Sequence, residues 1–277
     1  VFRLLGCGAI LASLFCAGTI HAAPQAQPDF TGRGDVGWIA VGDMFMAPPS
    51  GPGPVMSDPA HPRITNAVAA ATGQQATFHM GDANSPILQP WAKDAIRKRN
   101  AATLSGIPGY TRAVSCWPLG VPAFVLGMIQ PIFFVQTPKL VLLTWQEGQM
   151  VRHVYMNVPH SKTVKPSWFG ESVGHYEGDT LVIDTTGLND QTWVDHFRTP
   201  HTDRLHVIER YRMIEGGKTL EVNIRVEDPG AFTTPWNGIQ RFRRAEGPLL
   251  ESICAENNVG FFNQVVESIP EAAKPDF

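Results

Sequence analysis

Charge is what this sequence has least of. Charged residues make up 17% of the chain, well under the usual quarter, and acids and bases nearly cancel to a formal net charge of -3. A phosphate backbone or an anionic membrane is therefore not an expected partner. Arg204, Arg210, Arg212, Arg241, Arg243 and Arg244 are dispersed among acids and carry no interleaved aromatic platform, so nucleic acid is not expected either. The chain also lacks a glycine-rich dinucleotide fingerprint, a P-loop and an HExxH pair, and on these grounds no cofactor and no metal are expected. Cysteine is sparse, with 4 in 277 residues, and two of them, Cys7 and Cys16, fall in the opening segment.

Glycine and proline, by contrast, are plentiful, at 26 and 23 residues. That balance suits short strands joined by many turns better than long helices. Residues 1–23 carry one positive charge at Arg3, an apolar centre and small residues before Pro24. This three-part pattern predicts a secretory signal peptide cleaved near Ala22 or Ala23. Its apolar part is short for a membrane span, so no stable span is expected after cleavage, and a periplasmic or secreted location follows. Cys116 and Cys254 then remain in an oxidising compartment, where a disulfide between them is natural; two separately buried thiols are the alternative.

The section 24–85 is broken by PPSGPGP and SDPAHPRI, which fit neither a continuous helix nor a central strand. It reads as an irregular wrapping arm, with an edge strand within GWIAVGDMF and a short helix or mobile stretch over 66–78. The domain proper is expected over 86–277. Pro90 opens a helix over 91–102 with a partial apolar stripe of Trp91, Ala95 and Ile96. CWPLGVPAFVLGMIQPIFFVQ, 116–136, reads as packed loop with short strands, or as an apolar rim for a ligand.

Beyond Pro138 the strand patterns become regular: KLVLLTWQ, QMVRHVYMN, DTLVIDTT, DRLHVIERYRM, KTLEVNIRVED, GIQRFRR and LLESICAEN. Short polar separators favour antiparallel hairpins. Gly178, in the EGD separator, supplies the positive backbone angle such a turn needs. The expected fold is mainly β, an antiparallel calycin-like or other up-and-down barrel with a short N-terminal helix; a two-sheet sandwich is the alternative.

Six of the 9 histidines lie between 153 and 206, and histidine exchanges protons near neutral pH. His201 is the candidate proton-transfer group, oriented by Asp195 or Asp203. Glu209 is a second candidate catalytic carboxylate and Arg210 a candidate anion-binding group, but ideal strand alternation lets only one of the two face inward. His153, Tyr155, Trp168 and His206 are candidate substrate-binding residues. On 151–157, His153, Tyr155 and Asn157 share one face while Arg152, Val154 and Met156 share the other. Asp184 suits catalysis or a turn before Gly187. Ser172 in GESVG matches a hydrolase motif by letters but lacks the strand–turn–helix setting.

The run WFGESVGHYEGDTLVIDTTGLND, followed by PHTDRLHVIERY, VEDPGAFTTPW and CAENN, resembles a large group of mostly uncharacterised exported bacterial proteins. The resemblance covers about 88–258 and is specific in its middle. It implies a shared β architecture and the Cys116–Cys254 arrangement. His201, Asp203, His206, Glu209 and Arg210 fall in the group's PH-[ST]-D-x-x-H-x-x-ER segment, and Tyr176 stands where Trp is common. It transfers no activity. The expected function is acid/base lyase or isomerase chemistry on a small, partly apolar molecule. A non-catalytic periplasmic binding protein and an envelope structural or interaction protein are the alternatives.

Overall fold

The computed structural model describes residues 27–31, 36–74, 76–107, 116–127, 130–146, 148 and 150–254. The expected signal peptide lies outside them. Nine strands, β1 (Val36–Ala40), β2 (Ile132–Gln136), β3 (Leu140–Trp145), β4 (Met150–Met156), β5 (Glu171–Glu177), β6 (Thr180–Thr186), β7 (His206–Ile214), β8 (Thr219–Glu227) and β9 (Trp236–Glu246), form one sheet. The sheet closes on itself, with strands in sequence order and β9 paired to β1. The expected barrel is therefore the fold, and the two-sheet sandwich is not. Two helices, α1 (Asn66–Thr72) and α2 (Pro90–Leu104), lie between β1 and β2 in the chain. Among the described residues no helix is long and apolar enough to cross a membrane.

Neighbouring strands are antiparallel except β4 and β5, which run parallel with Val154 opposite Ser172. A parallel pair needs a crossover of about a dozen residues or more, and 157–170 supplies it. Pro159 and Pro166 interrupt this stretch, so it carries the chain back along the barrel before β5 begins. The β5–β6 connection is the tight hairpin expected, with Gly178 at φ 62°.

The strand registers give one continuous interior. Val207, Glu209 and Tyr211 of β7 stand opposite Val226, Ile224 and Val222 of β8, and the latter three are almost fully buried. Leu220, Val222, Ile224 and Val226 therefore make up the core face of β8. Arg152, Val154 and Met156 point inward from β4, while His153 and Tyr155 point out. On α2 the buried face is Ala92, Ile96 and Asn100, an i, i+4, i+8 stripe. Trp91 lies outside that stripe, 44% exposed.

The N-terminal arm contributes to this core rather than only covering it. β1 completes the closure, Phe30 is fully buried, and the Trp38 indole donates to the Phe30 carbonyl at 2.8 Å. Past β1 the chain stays with β9 through Met46 and Ile239. The stretch 249–254, expected as a strand, has no sheet partner; the rest of LLESICAEN lies outside the described residues. A disulfide joins Cys116 to Cys254.

Candidate functional site

The candidate site residues from the sequence are spread over four environments. Glu209 faces inward and Arg210 outward, which resolves the fork between them. Inside the barrel the Arg152 Nη2 donates to Glu209 at 2.5 Å and to Thr185 at 2.7 Å, and its Nε donates to Ser172 at 3.1 Å. The Tyr211 hydroxyl donates to the other Glu209 oxygen at 2.9 Å. Burial alone would lower the Arg152 pKa, but the Glu209 carboxylate more than reverses this. Burial and the same carboxylate push the Tyr211 phenol well up. Ser172 is thus a buried partner of an arginine. Arg210 is exposed and donates to Glu177 at 2.6 Å.

His201 is 3% exposed, with its Nδ1 2.9 Å from the Thr202 carbonyl and its Nε2 2.8 Å from the Thr192 hydroxyl. The carbonyl can only accept, so Nδ1 carries the proton and Nε2 accepts from Thr192. Burial lowers its pKa. Asp228 reinforces the same loop by accepting from the Thr202 amide and hydroxyl and from the Gly230 amide. Among the described residues no carboxylate hydrogen-bonds His201, so none of Asp195, Asp203 and Glu209 orients it; Asp203 is exposed in a turn. His153 and Tyr155 are exposed on the outer face, and Trp168 packs against Trp117, ring centroids 5.3 Å apart.

His206 belongs to a chain of ionisable groups on the outer wall. Its Nε2 lies 2.9 Å from Asp184, which also meets His160 Nε2 at 2.9 Å. His160 Nδ1 continues to Glu171 at 3.0 Å, so this chain pins the 157–170 crossover to β5 and β6. The bond with Asp184 raises the His206 pKa. Bonds from His206 and His160 hold the Asp184 carboxyl below its usual range.

A fourth cluster draws on three segments far apart in sequence. Asp43 follows β1 in a bend, His79 lies late in the arm, and His196 lies in the 187–205 loop between β6 and β7. One ligand atom from each comes within 4.8 Å of the others, and all three side chains are partly accessible. His79 Nε2 is 2.9 Å from Asp43, which also pairs with Arg63. The His79 and His196 rings are 5.5 Å apart, and the Phe197 ring stands edge-on to His79.

Local sequence explains the convergence. Asp195 accepts from the Thr199 amide at 3.0 Å, and Arg198 takes a positive φ of 61°. The resulting tight loop buries Phe197 and leaves His196 partly exposed. On the arm side, the Asp58 amide donates to the Met80 carbonyl and the Asp82 amide to the Met56 carbonyl. That clamp fixes His79. Gly81 permits the contact between the two segments, since a Cβ there would sit 2.9 Å from the Phe197 Cβ.

The electrostatics of this cluster are unusual. Burial, helped by Arg63, takes His79 down to about 4. Burial, then the charges of His79 and Arg63, takes His196 down to about 3. Burial pushes the Asp195 carboxyl up to about 6, opposed by the bonds from Thr199. The Asp195 Oδ2 is buried without a hydrogen-bond partner among the described residues.

Asp43 and His79 were not legible as site residues, because they lie in proline- and glycine-rich sequence without strand or helix periodicity. His196 and Asp195 fell within the histidine- and acid-rich run, which was the only available signal. Comparison with protein-family models, with curated proteins and with solved structures finds no match to the chain.

Proposed function

We propose that the protein is an exported acid/base enzyme, a lyase or isomerase for a small, partly apolar molecule, working at the Asp43–His79–His196 cluster. The observation that carries this reading is convergence. Two imidazoles and a carboxylate from separate segments meet at a partly accessible place, and His196 makes no side-chain hydrogen bond among the described residues. Its ring nitrogens are free to meet a substrate. Lyases and isomerases need a group that removes a proton and one that returns it, within hydrogen-bond reach of the substrate. His196 suits the first contact. His79, bonded to Asp43, suits the second, and the buried Phe197 ring packs edge-on behind it. His201 is a positioning residue in this reading, holding the loop that carries His196.

The test is conversion of an extract of small molecules from the cell envelope, followed by mass spectrometry. Wild-type protein should consume at least one component that His196→Ala leaves untouched. A His175→Ala control should behave as wild type, because that exposed side chain pairs with Glu177 on the outer wall, away from the cluster. Identical product profiles for wild type and His196→Ala would overturn the proposal.

A further inference from the structure

We propose that Asp43, His79 and His196 together hold a first-row divalent transition-metal ion. The inference rests on the reading of this cluster as the working site and revises its chemistry, because imidazole nitrogens and a carboxylate that hold an ion do not themselves carry the proton. No motif spacing joins the three residues in the chain; only the fold assembles them.

Geometry is the first argument. Metal–nitrogen and metal–oxygen bonds of about 2.0–2.2 Å place two ligand atoms up to about 4.4 Å apart. The three ligand atoms here already lie within 4.8 Å of one another, so small side-chain rotations close the remainder. His79 and Asp43 touch at 2.9 Å, which is the spacing left when a shared proton stands where an ion would bridge. Arg63 pairs with the same Asp43 oxygen that meets His79, so an ion held through that oxygen takes the place of this contact.

Donor chemistry is the second. Two imidazoles and one carboxylate suit zinc, cobalt, nickel or ferrous iron, whereas magnesium and calcium prefer oxygen throughout. Three protein ligands also leave coordination positions open, as in catalytic rather than structural sites. A small molecule reaching His196 could then bind the ion directly.

The third argument is a buried acceptor with nothing to accept. Asp195 is 4% exposed and its Oδ2 has no partner among the described residues.

The experiment uses untagged full-length protein stripped with a chelator and titrated with cobalt(II) at neutral pH, read by visible absorption and calorimetry. One equivalent should bind, with ligand-field bands, and excess magnesium should not displace it. Affinity should fall on the order of 100-fold or more in His79→Ala and His196→Ala, at the upper end of or beyond what outer contacts give. His196→Gln, closer in volume, guards against simple misfolding and should lose binding with an unchanged circular dichroism spectrum. His175→Ala should bind as wild type does.

Failure of saturable uptake in wild type, or uptake that survives both His196 variants, overturns the inference. Conversion of the envelope extract that persists in stripped protein but is lost in His196→Ala overturns the metal while sparing acid/base chemistry. Stoichiometric cobalt binding without any His196-dependent conversion supports the metal site and overturns the enzyme.

Discussion

Side chains of the same charge type do unlike work here according to which side of the wall they occupy. Arg152 and Glu209 are both wholly buried, while Arg212 and Asp179 form an exposed pair at 3.0 Å. An exposed pair contributes about 0–1 kcal/mol. Removing one partner of a buried pair leaves an uncompensated charge and costs about 3–5 kcal/mol. Glu209→Gln should therefore lower urea-measured stability by about that amount, and Arg212→Ala by less than about 1 kcal/mol. Replacing Arg152 and Glu209 together by methionine should be milder than Glu209→Gln alone, since no bare charge remains. Equal losses for Glu209→Gln and Arg212→Ala would show that the interior pair is not what sets this part of the core. The alternation on 151–157 already separated Arg152 from His153. It could not say which face was the interior, because each face mixes polar and apolar groups. Only pairing with Leu143 and Val141 of β3 decides it.

Elements are joined by a different device where the chain breaks its hairpin habit. The crossover between β4 and β5 cannot be held by a hairpin turn, and His160 ties it down instead, to Glu171 and Asp184, with His206 on the far side of Asp184. Asp184 is lowered from 3.8, so its stabilising contacts are present above that value and are lost as pH falls through its lower folded pKa. His206 is raised from 6.5, so its contribution is full below 6.5 and is lost as pH rises through its higher folded pKa. The two overlap between 3.8 and 6.5. Asp184→Asn should accordingly cost more stability at about pH 5.5 than at about pH 9. Denaturant titrations at both values check this, and a cost independent of pH would remove His206 as the titrating partner. β4 before the crossover and β6 after it were legible from period and turn residues, but β5 was not among the expected strands. The parallel pairing of β4 with β5 was not legible either, because it is set by where a proline-interrupted connection can run, and no local pattern encodes that path.

At the scale of the whole molecule, closure and cross-linking act on different parts of the chain. β1 and β9 close the barrel from opposite ends of the sequence, with Trp38 opposite Arg244, and the arm around β1 carries Asp43 and His79. The strands after Pro138 other than β5 were legible because alternation and hairpin turns are local; the arm's role was not, because its apolar anchors Phe30, Phe45 and Val55 are isolated in sequence and gain meaning only against the finished barrel. Cys116 and Cys254 were legible as a pair because few cysteines compete. They are 138 residues apart in sequence, and nearly the whole barrel apart from β1 lies between them. Cross-linking a loop of that length restricts the unfolded chain far more than the folded one, and contributes roughly 3–5 kcal/mol. Reduction, or the double replacement of both cysteines by serine, should lower urea-measured stability by about that amount while leaving the β circular dichroism spectrum intact. Because the bond acts on the unfolded state, the oxidised protein should also show a smaller denaturant slope than the reduced one. A reduced protein with Cys116 and Cys254 both titratable and undiminished stability would mean that barrel closure alone sets the cooperativity of the fold.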